Sequence, residues 1–429
     1  MIGAGAAGLA ATRRLARASR RVVVLEARER IGGRVLPCAG MDGSWAELGA
    51  EFIHGTATLT YDLLRAAGLA WDDVEGERWN VTPGGALRRS DDSFAADPSL
   101  FDALREMRDD VSVDEFFRRF AGDPAMRPRV EVARAFVEGF DAADPSIASA
   151  RGVAAEWRSG VDERIARPRE TYRQLFHYLY ETALAGGAEF HFGTVVARVA
   201  RNDDGVMVEA RDANGTHRAI RARACIVTLP TGVLRGAGDA ATVTFVPALP
   251  SEKCAALRTI EAGDAVRVVL WFRSRFWEGI AGGRYRDAAF FQARGGPFTA
   301  YWSAMPRRNN TVVAWSGGPN AARLRDAREE ARIDLAVRGF GALFGDEEIA
   351  RAEFIEGAAH DWRADPFSRG AYSYLAVGGS EAREVLAEPV GASLFFAGEA
   401  TALEGESGTV NGALRSGERA AGEVEAAYE

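Results

Sequence analysis

The sequence predicts an α/β chain: a Rossmann-like dinucleotide-binding domain with a second, α+β domain interleaved into it. Three observations predict this. A glycine-rich turn, Gly3-Ala-Gly5-Ala-Ala-Gly8, leads into a helical run ending near Ala18 and then into an apolar strand, Val22-Val-Val-Leu25, closed by Glu26. From about residue 99 to 186, apolar residues recur at i, i+3/i+4 spacing. From Glu189 the pattern changes to short β-branched runs. Helix and strand blocks that interrupt the nucleotide fold imply a discontinuous chain. Residues 1–75, 186–262 and 366–429 are expected in the nucleotide domain, and 76–185 and 263–365 in the other.

The N-terminal unit has the strand–turn–helix–strand–acid order of a βαβ nucleotide site. Gly3 permits the tight turn, Gly5 lets backbone approach a pyrophosphate, and Gly8 allows close helix–strand packing. The helix start offers free N–H groups and its positive dipole end to phosphates. Glu26, 18 residues after Gly8, is spaced to accept hydrogen bonds from an adenosine ribose. The motif alone does not separate FAD from NAD. Only Met1 and Ile2 precede the turn, although a first strand of about five residues, central in the sheet, is usual. A further stretch upstream of Met1 is therefore expected.

Downstream, Phe101–Arg108, Val113–Phe120, Val130–Gly139 and Arg169–Leu184 read as helices. Asp204-Gly205 and Asn214-Gly215 punctuate the β-branched runs between Glu189 and Pro230 as hairpin turns. Val266–Trp271, Ala288–Gln292, Thr299–Met305 and Thr311–Trp315 read as strands, and a charged helix follows near Ala321–Phe340.

Composition narrows the function. With 429 residues, 47% hydrophobic and 27% charged, the chain can bury the cores of two or three domains of about 100–200 residues. The balance of 53 basic and 61 acidic residues, −8 overall, leaves no basic excess for a nucleic-acid partner. No window offers the ~18–20 apolar residues of a membrane helix, and no signal-peptide layout opens the chain. A cytoplasmic protein with no membrane partner, monomer or homodimer, is expected. Cys38, Cys225 and Cys254 lack metal-ligand spacing, and the histidines His54, His177, His191, His217 and His360 show no ligand pairing, so no metal is expected. Lys253 is the sole lysine.

Four motifs in order carry a resemblance. The first is the glycine turn with Glu26. The second is Arg28-Glu-Arg-Ile-Gly32-Gly33-Arg34, a glycine pair beside an arginine that adds N–H groups and a bidentate phosphate donor. The third is Glu47-Leu48-Gly49-Ala50-Glu51-Phe-Ile-His54. The fourth runs from Phe396-Ala-Gly398-Glu399 to Gly408-Thr409-Val410-Asn-Gly412. Together, and with the Phe276-Trp277 region, they resemble the flavin-containing amine oxidase family: monoamine and polyamine oxidases, L-amino-acid oxidases and flavin histone demethylases.

That resemblance implies FAD as cofactor, with Gly3, Gly5 and Gly8 at its pyrophosphate, Glu26 at its ribose, and Arg28, Gly33 and Arg34 toward phosphate and ribityl. It implies that Leu48, Gly49 and Ala50 pass beside the isoalloxazine, Val196 packs against the adenine, and Glu399 binds the ribityl chain. Thr409 and Val410 open the last helix, whose N-terminus would favour negative charge on a reduced flavin. Ala371 stands where some members attach flavin through cysteine, so non-covalent FAD is expected.

Three residues are expected to carry the chemistry. Tyr372 resembles the aromatic wall against which the amine stacks; Thr409 stands where monoamine oxidases have a second tyrosine. His54 sits where polyamine oxidases contact substrate, and histidine titrates near a pKa of roughly 6.5. Glu51, in the same loop, reads either as a cation attractor or as an ordinary exposed carboxylate. Arg267 replaces the family's lysine, which is bridged by water to flavin N5. Arginine stays charged and donates hydrogen bonds but does not shuttle protons. The expected function is oxidation of a primary or secondary amine or polyamine to an imine by hydride transfer to flavin, with O2 reduced to H2O2 or another acceptor used. The alternatives are a flavoprotein dehydrogenase or desaturase acting on a non-amine substrate, or a catalytically impaired FAD-binding protein.

Overall fold

The computed structural model describes residues 1–429 except 83, 91–99, 101, 105–106, 108, 160–163, 213, 237, 240 and 404. The helix expected over 101–108 lies in part outside the described residues.

A parallel sheet organises the nucleotide end. Val23–Leu25 pairs with Glu189–His191, and Cys225–Val227 pairs with Leu394–Phe396. Ile2 joins the two pairs by parallel bridges to Leu25 and Val227. A two-residue rung thus occupies the central position expected of a full strand. Its hydrogen bonds are complete: Met1 O accepts from Leu25 N at 2.9 Å, Ile2 N donates to Ile226 O at 3.0 Å, and Ile2 O accepts from Thr228 N at 3.0 Å.

Both faces of this sheet are covered, as parallel strands require. Val24, Ile226 and Phe395 pack against the helices Ala6–Arg17, Arg173–Ala185 and Val410–Ala427. Leu25, Val227 and Phe396 face the other way, onto Val196, Val199, Val206 and Val208 of a four-stranded sheet. That sheet contains the two expected hairpins, Val195–Asn202 with Gly205–Arg211 and Gly205–Arg211 with His217–Ala222.

The second system is a seven-stranded mixed sheet in the order Phe354–Asp361, Ala265–Phe272, Thr311–Gly317, Ala300–Ser303, Ala288–Gln292, Glu77–Val81, Leu87–Ser90. All eight residues of Ala265–Phe272 are buried, so its period of two sorts them to two interiors. Val266, Val268, Leu270 and Phe272 pack on Ala336, Val337 and Phe340 of the helix Glu329–Ala342. Val269 and Trp271 face Leu48, Trp302 and Val313 instead. Arg267 shares their parity, which sends the one charged side chain of the strand toward the glycine loops.

The charged helix expected near Ala321–Phe340 is broken. A short helix, Gly318–Ala322, precedes a turn, and Glu329–Ala342 begins after an extended Arg328. The break is held by Arg332, whose Nε and Nη2 donate to Leu324 O at 3.1 and 3.0 Å. Glu329 and Glu330 then lie in the new first turn, where the helix dipole favours them. The helix expected from Arg169 begins at Arg173, because Thr171 holds a positive φ of 98°.

Candidate active site

One elongated cavity of about 780 Å³ runs from the first glycine turn to the face of the seven-stranded sheet. It is lined by Gly3, Gly5, Glu26, Arg28, Gly33, Arg34, Gly49, Ala50, Val196, Glu399, Thr409 and Val410, and also by His54, Arg267 and Tyr372. Gly8 and Leu48 lie just behind this wall.

Backbone proximity builds the nucleotide end. Gly3 has φ +101°, and a Cβ there would lie 2.6 Å from Thr228 Oγ1; a Cβ on Gly8 would lie 2.0 Å from Gly3 O. Gly5 caps the helix Ala6–Arg17 without any side-chain bond, so among the described residues no oxygen caps the first-turn N–H groups at Ala6 and Ala7. This cradle, full of backbone and lacking an acceptor, fits a pyrophosphate. Glu26 is buried and accepts from Ala4 N at 2.7 Å and Arg28 N at 2.9 Å. Val196 is buried beside Thr194. Arg28, expected to meet phosphate, also has a protein partner: Nη2 donates to Asp365 Oδ1 at 2.6 Å and Ser368 Oγ at 3.0 Å. Burial would raise the Asp365 carboxyl, but hydrogen bonds from His360 and Arg28 hold it well below its usual range.

In the middle, Glu399 gathers four donors. Arg34 Nη1 lies 2.8 Å from Oε1, while Ser373 Oγ at 2.8 Å, Ser373 N at 3.4 Å and Gly408 N at 3.0 Å share Oε2. Burial raises its carboxyl, but Arg34 and Arg383 outweigh that and keep it ionised. Leu48 to Ala50 are fixed from both sides. Leu48 N donates to Leu36 O at 2.7 Å, Ala50 N to Arg34 O at 3.1 Å, and Trp362 Nε1 to Leu48 O at 3.0 Å. Thr409 caps the last helix through Gly412 N at 2.9 Å and donates to Glu406 O at 2.7 Å. The resulting helix start at Val410 lines the cavity.

At the far end, Arg267 Nη1 donates to Gly49 O at 2.7 Å, and Nη2 forms a close ion pair with Glu51 Oε2. Glu51 is not an exposed carboxylate. Its Oε1 meets Arg167 Nη1 at 2.9 Å, and Trp302 Nε1 donates to its Oε2 at 3.0 Å. Burial alone would raise Glu51; the two arginines overcome it and hold the carboxyl down. Glu47, four residues earlier, takes the opposite course. It is 2% exposed, and burial pushes it up to about 8 despite the Tyr172 N–H on its Oε1 at 2.9 Å.

Tyr372 stands near this wall. Its ring lies parallel to that of Trp315, with an interplanar angle of 2° and centroids 6.4 Å apart. Its hydroxyl donates to Phe140 O, and Trp315 Nε1 donates to Gly139 O at 2.7 Å. Both rings are therefore tied to consecutive carbonyls at the end of the helix Arg127–Gly139. Burial raises the Tyr372 phenol and keeps it protonated. His54 sits edge-on to Phe140 and Phe52, at 5.5 and 6.0 Å between centroids.

All three residues expected to carry chemistry thus line the same cavity. Sequence reasoning missed Trp315, Trp302 and Arg167. Register offered one signal: Trp315 is the direct strand partner of Arg267.

A family model described as flavin containing amine oxidoreductase matches residues 6–425. The human protein lysine-specific histone demethylase 2 is 27% identical over 99% of this chain and 53% of its own length. Rice polyamine oxidase 4 is 27% identical over 99% of this chain and 87% of its own. The chain spans about half, or less, of the histone demethylases it matches, 29% for one from Arabidopsis thaliana. Putrescine oxidase bound to putrescine superposes with a TM-score of 0.79, at 21% identity, over 99% of this chain and 98% of that one. Cyclohexylamine oxidase from Brevibacterium oxydans reaches 0.82, also at 21% identity, over 100% and 98%. The mixed α/β architecture and the cavity agree with that match, and the chain belongs to the flavin-containing amine oxidoreductases, a family of FAD-dependent enzymes.

Proposed function

We propose that the protein oxidises a primary or secondary amine, or a polyamine, to an imine, with O2 taking up the electrons as H2O2. One observation carries this reading: a single cavity joins a pyrophosphate cradle and the Arg34–Glu399 pair to an aromatic end lined by Tyr372, Trp315 and Trp302 together with Gly49 and Ala50. FAD, when bound, supplies the two-electron acceptor for a hydride leaving the substrate α-carbon.

The chain does the rest. Gly3, Gly5 and the first helix hold the pyrophosphate, with Gly8 allowing their approach; Glu26 takes the ribose, and Val196 packs on the adenine. Among the described residues Arg28 meets Asp365 and Ser368 through Nη2 alone, so its other edge would take a phosphate; Gly33 adds backbone beside it. Arg34 and Glu399 would hold the ribityl chain, Leu48, Gly49 and Ala50 would support the ring, and the N–H groups at the helix start of Thr409 and Val410 would favour negative charge on it. Tyr372 and His54 orient the amine, and the aromatic lining excludes water. Arg267 accepts no proton, so it does not deprotonate the amine. Residues 1–75, 186–262 and 366–429 form the cofactor domain, from which His54 and Tyr372 reach the amine; 76–185 and 263–365 form the substrate domain.

A second reading, dehydrogenation with an acceptor other than O2, is favoured by Arg267 being clamped to Glu51 and Gly49. The test is the visible flavin spectrum under anaerobic conditions with a panel of amines, followed by admission of O2. Bleaching by one amine and recovery with peroxide release supports oxidase action. Bleaching with slow recovery supports the second reading, and a flavin that no amine bleaches sinks amine oxidation.

A further inference from the structure

We infer that Arg167, which does not line the cavity, is a positioning residue that supplies the surplus positive charge of the wall behind Gly49. This rests on the proposed placement of the flavin ring against Leu48–Ala50.

The charge arithmetic comes from the contacts. Glu51 lies between two guanidinium groups, with Oε1 on Arg167 and Oε2 on Arg267. Both arginine side chains are only 4% exposed, and Glu51 is 12% exposed. Each guanidinium is covered by an aromatic face, Arg167 by Phe52 at 5.0 Å and Arg267 by Trp302 at 4.9 Å. One carboxylate cannot neutralise two cations. The neighbouring acids do not supply the difference: Asp72 is held by Arg169 at 2.9 Å and Arg307 at 3.2 Å, and Glu47, buried with Tyr172 N–H on its Oε1, has its carboxyl pushed up by burial toward the neutral form.

The cluster therefore holds one surplus positive charge out of water. Buried charge is stabilised by an opposite charge brought beside it. Arg267 touches the loop through Gly49 O, and Glu51 is shared between the two arginines; the surplus belongs to the cluster, and removing Arg167 cancels it by leaving a neutral Glu51–Arg267 pair. The effect of the surplus is to favour negative charge on a ring resting against residues 48–50. That makes the ring easier to reduce and easier to attack by an anionic nucleophile.

Sulfite, which adds to oxidised flavin and leaves it negatively charged, is the probe. It is titrated into the FAD-loaded full chain while the visible band is followed. Arg167→Gln should retain FAD and weaken sulfite binding about tenfold, the scale of a unit charge acting across several ångströms of protein. Arg167→Lys should bind within about twofold of wild type. The double variant Arg167→Gln/Glu51→Gln removes one charge of each sign, leaves Arg267 as the surplus, and should return to near the wild-type constant. This double variant also carries the test if Arg167→Gln alone does not fold. A merely structural role for Arg167 predicts no such return. FAD-loaded Arg167→Gln with an unchanged sulfite constant overturns the inference alone, as does a double variant far from wild type. A wild-type chain that takes up no FAD overturns the proposed function and this inference together.

Discussion

The two ends of the cavity are built by different means. At the glycine end, short-range backbone packing makes the site: Gly3, Gly5 and Gly8 fall within six residues, and the partner strands lie directly beside them. At the Arg267 end, side chains from four separate segments converge, namely Glu51, Arg167, Arg267 and Trp302. The first end is specified by the absence of side chains, the second by charge balance among buried ones. The first should therefore fail through sterics, and the second through uncompensated charge.

Glu51→Ala should give the largest effect. It leaves two guanidinium groups facing each other out of water, and removing one partner of a buried ion pair costs about 3–5 kcal/mol. Chemical denaturation checks this. A loss below about 1 kcal/mol would mean that water reaches the cluster and would remove the contrast between the two ends.

Glu47→Gln sharpens the same point through pH. The Glu47 carboxyl is raised from 4.5 to about 8, chiefly by burial. A raised carboxyl contributes stability in full below about pH 4.5 and loses it as pH rises through about 8. The variant lacks that loss. Its stability relative to wild type should climb between those limits and level off above pH 8, at a gain on the order of 2–4 kcal/mol. Melting temperatures of both proteins across pH 5–9 decide it, and parallel curves would show that Glu47 stays ionised. The contrast with Glu51 is instructive, because two carboxylates four residues apart are both buried and only the one with arginine partners keeps its charge.

Gly8→Ala tests the other end. The added Cβ meets Gly3 O at 2.0 Å, so helix and turn must separate. The expected loss is about 1–3 kcal/mol of stability, accompanied by loss of bound FAD on gel filtration. A variant that keeps its flavin would show that the cradle tolerates widening and is not set by sterics.

How much of this could be read from the sequence follows the same division. Gly3, Gly5, Gly8 and Glu26 form a local pattern whose spacing states its geometry, and the strands and hairpins around them follow residue periodicity. Ile2 taking the central position in the sheet was legible as a position but not as a two-residue rung. Glu51 was not legible, since an acidic residue in a loop carries no mark of the arginines that fold against it from positions 167 and 267. The helix break before Glu329 was hidden for a similar reason. It depends on one guanidinium, Arg332, returning to Leu324 O, while the periodicity runs straight across the break.

The smallest expected effect concerns Trp315 and Tyr372, which join the substrate end to the helix Arg127–Gly139. Each ring donates one hydrogen bond to a carbonyl at that helix end, Trp315 to Gly139 and Tyr372 to Phe140. Trp315→Phe and Tyr372→Phe keep an aromatic face and remove the donor. Each should lower stability by about 1 kcal/mol, the net value of one such bond. The two carbonyls are consecutive, so once one tie is lost the helix end relaxes and the second tie holds less. The double variant should then lose less than the sum of the singles, by about 0.5 kcal/mol or more. Full additivity in denaturant titrations would mean that the rings are anchored independently. A sub-additive result would make the end of that helix a shared support for both rings, so that a shift there moves both of the aromatic walls that line the cavity.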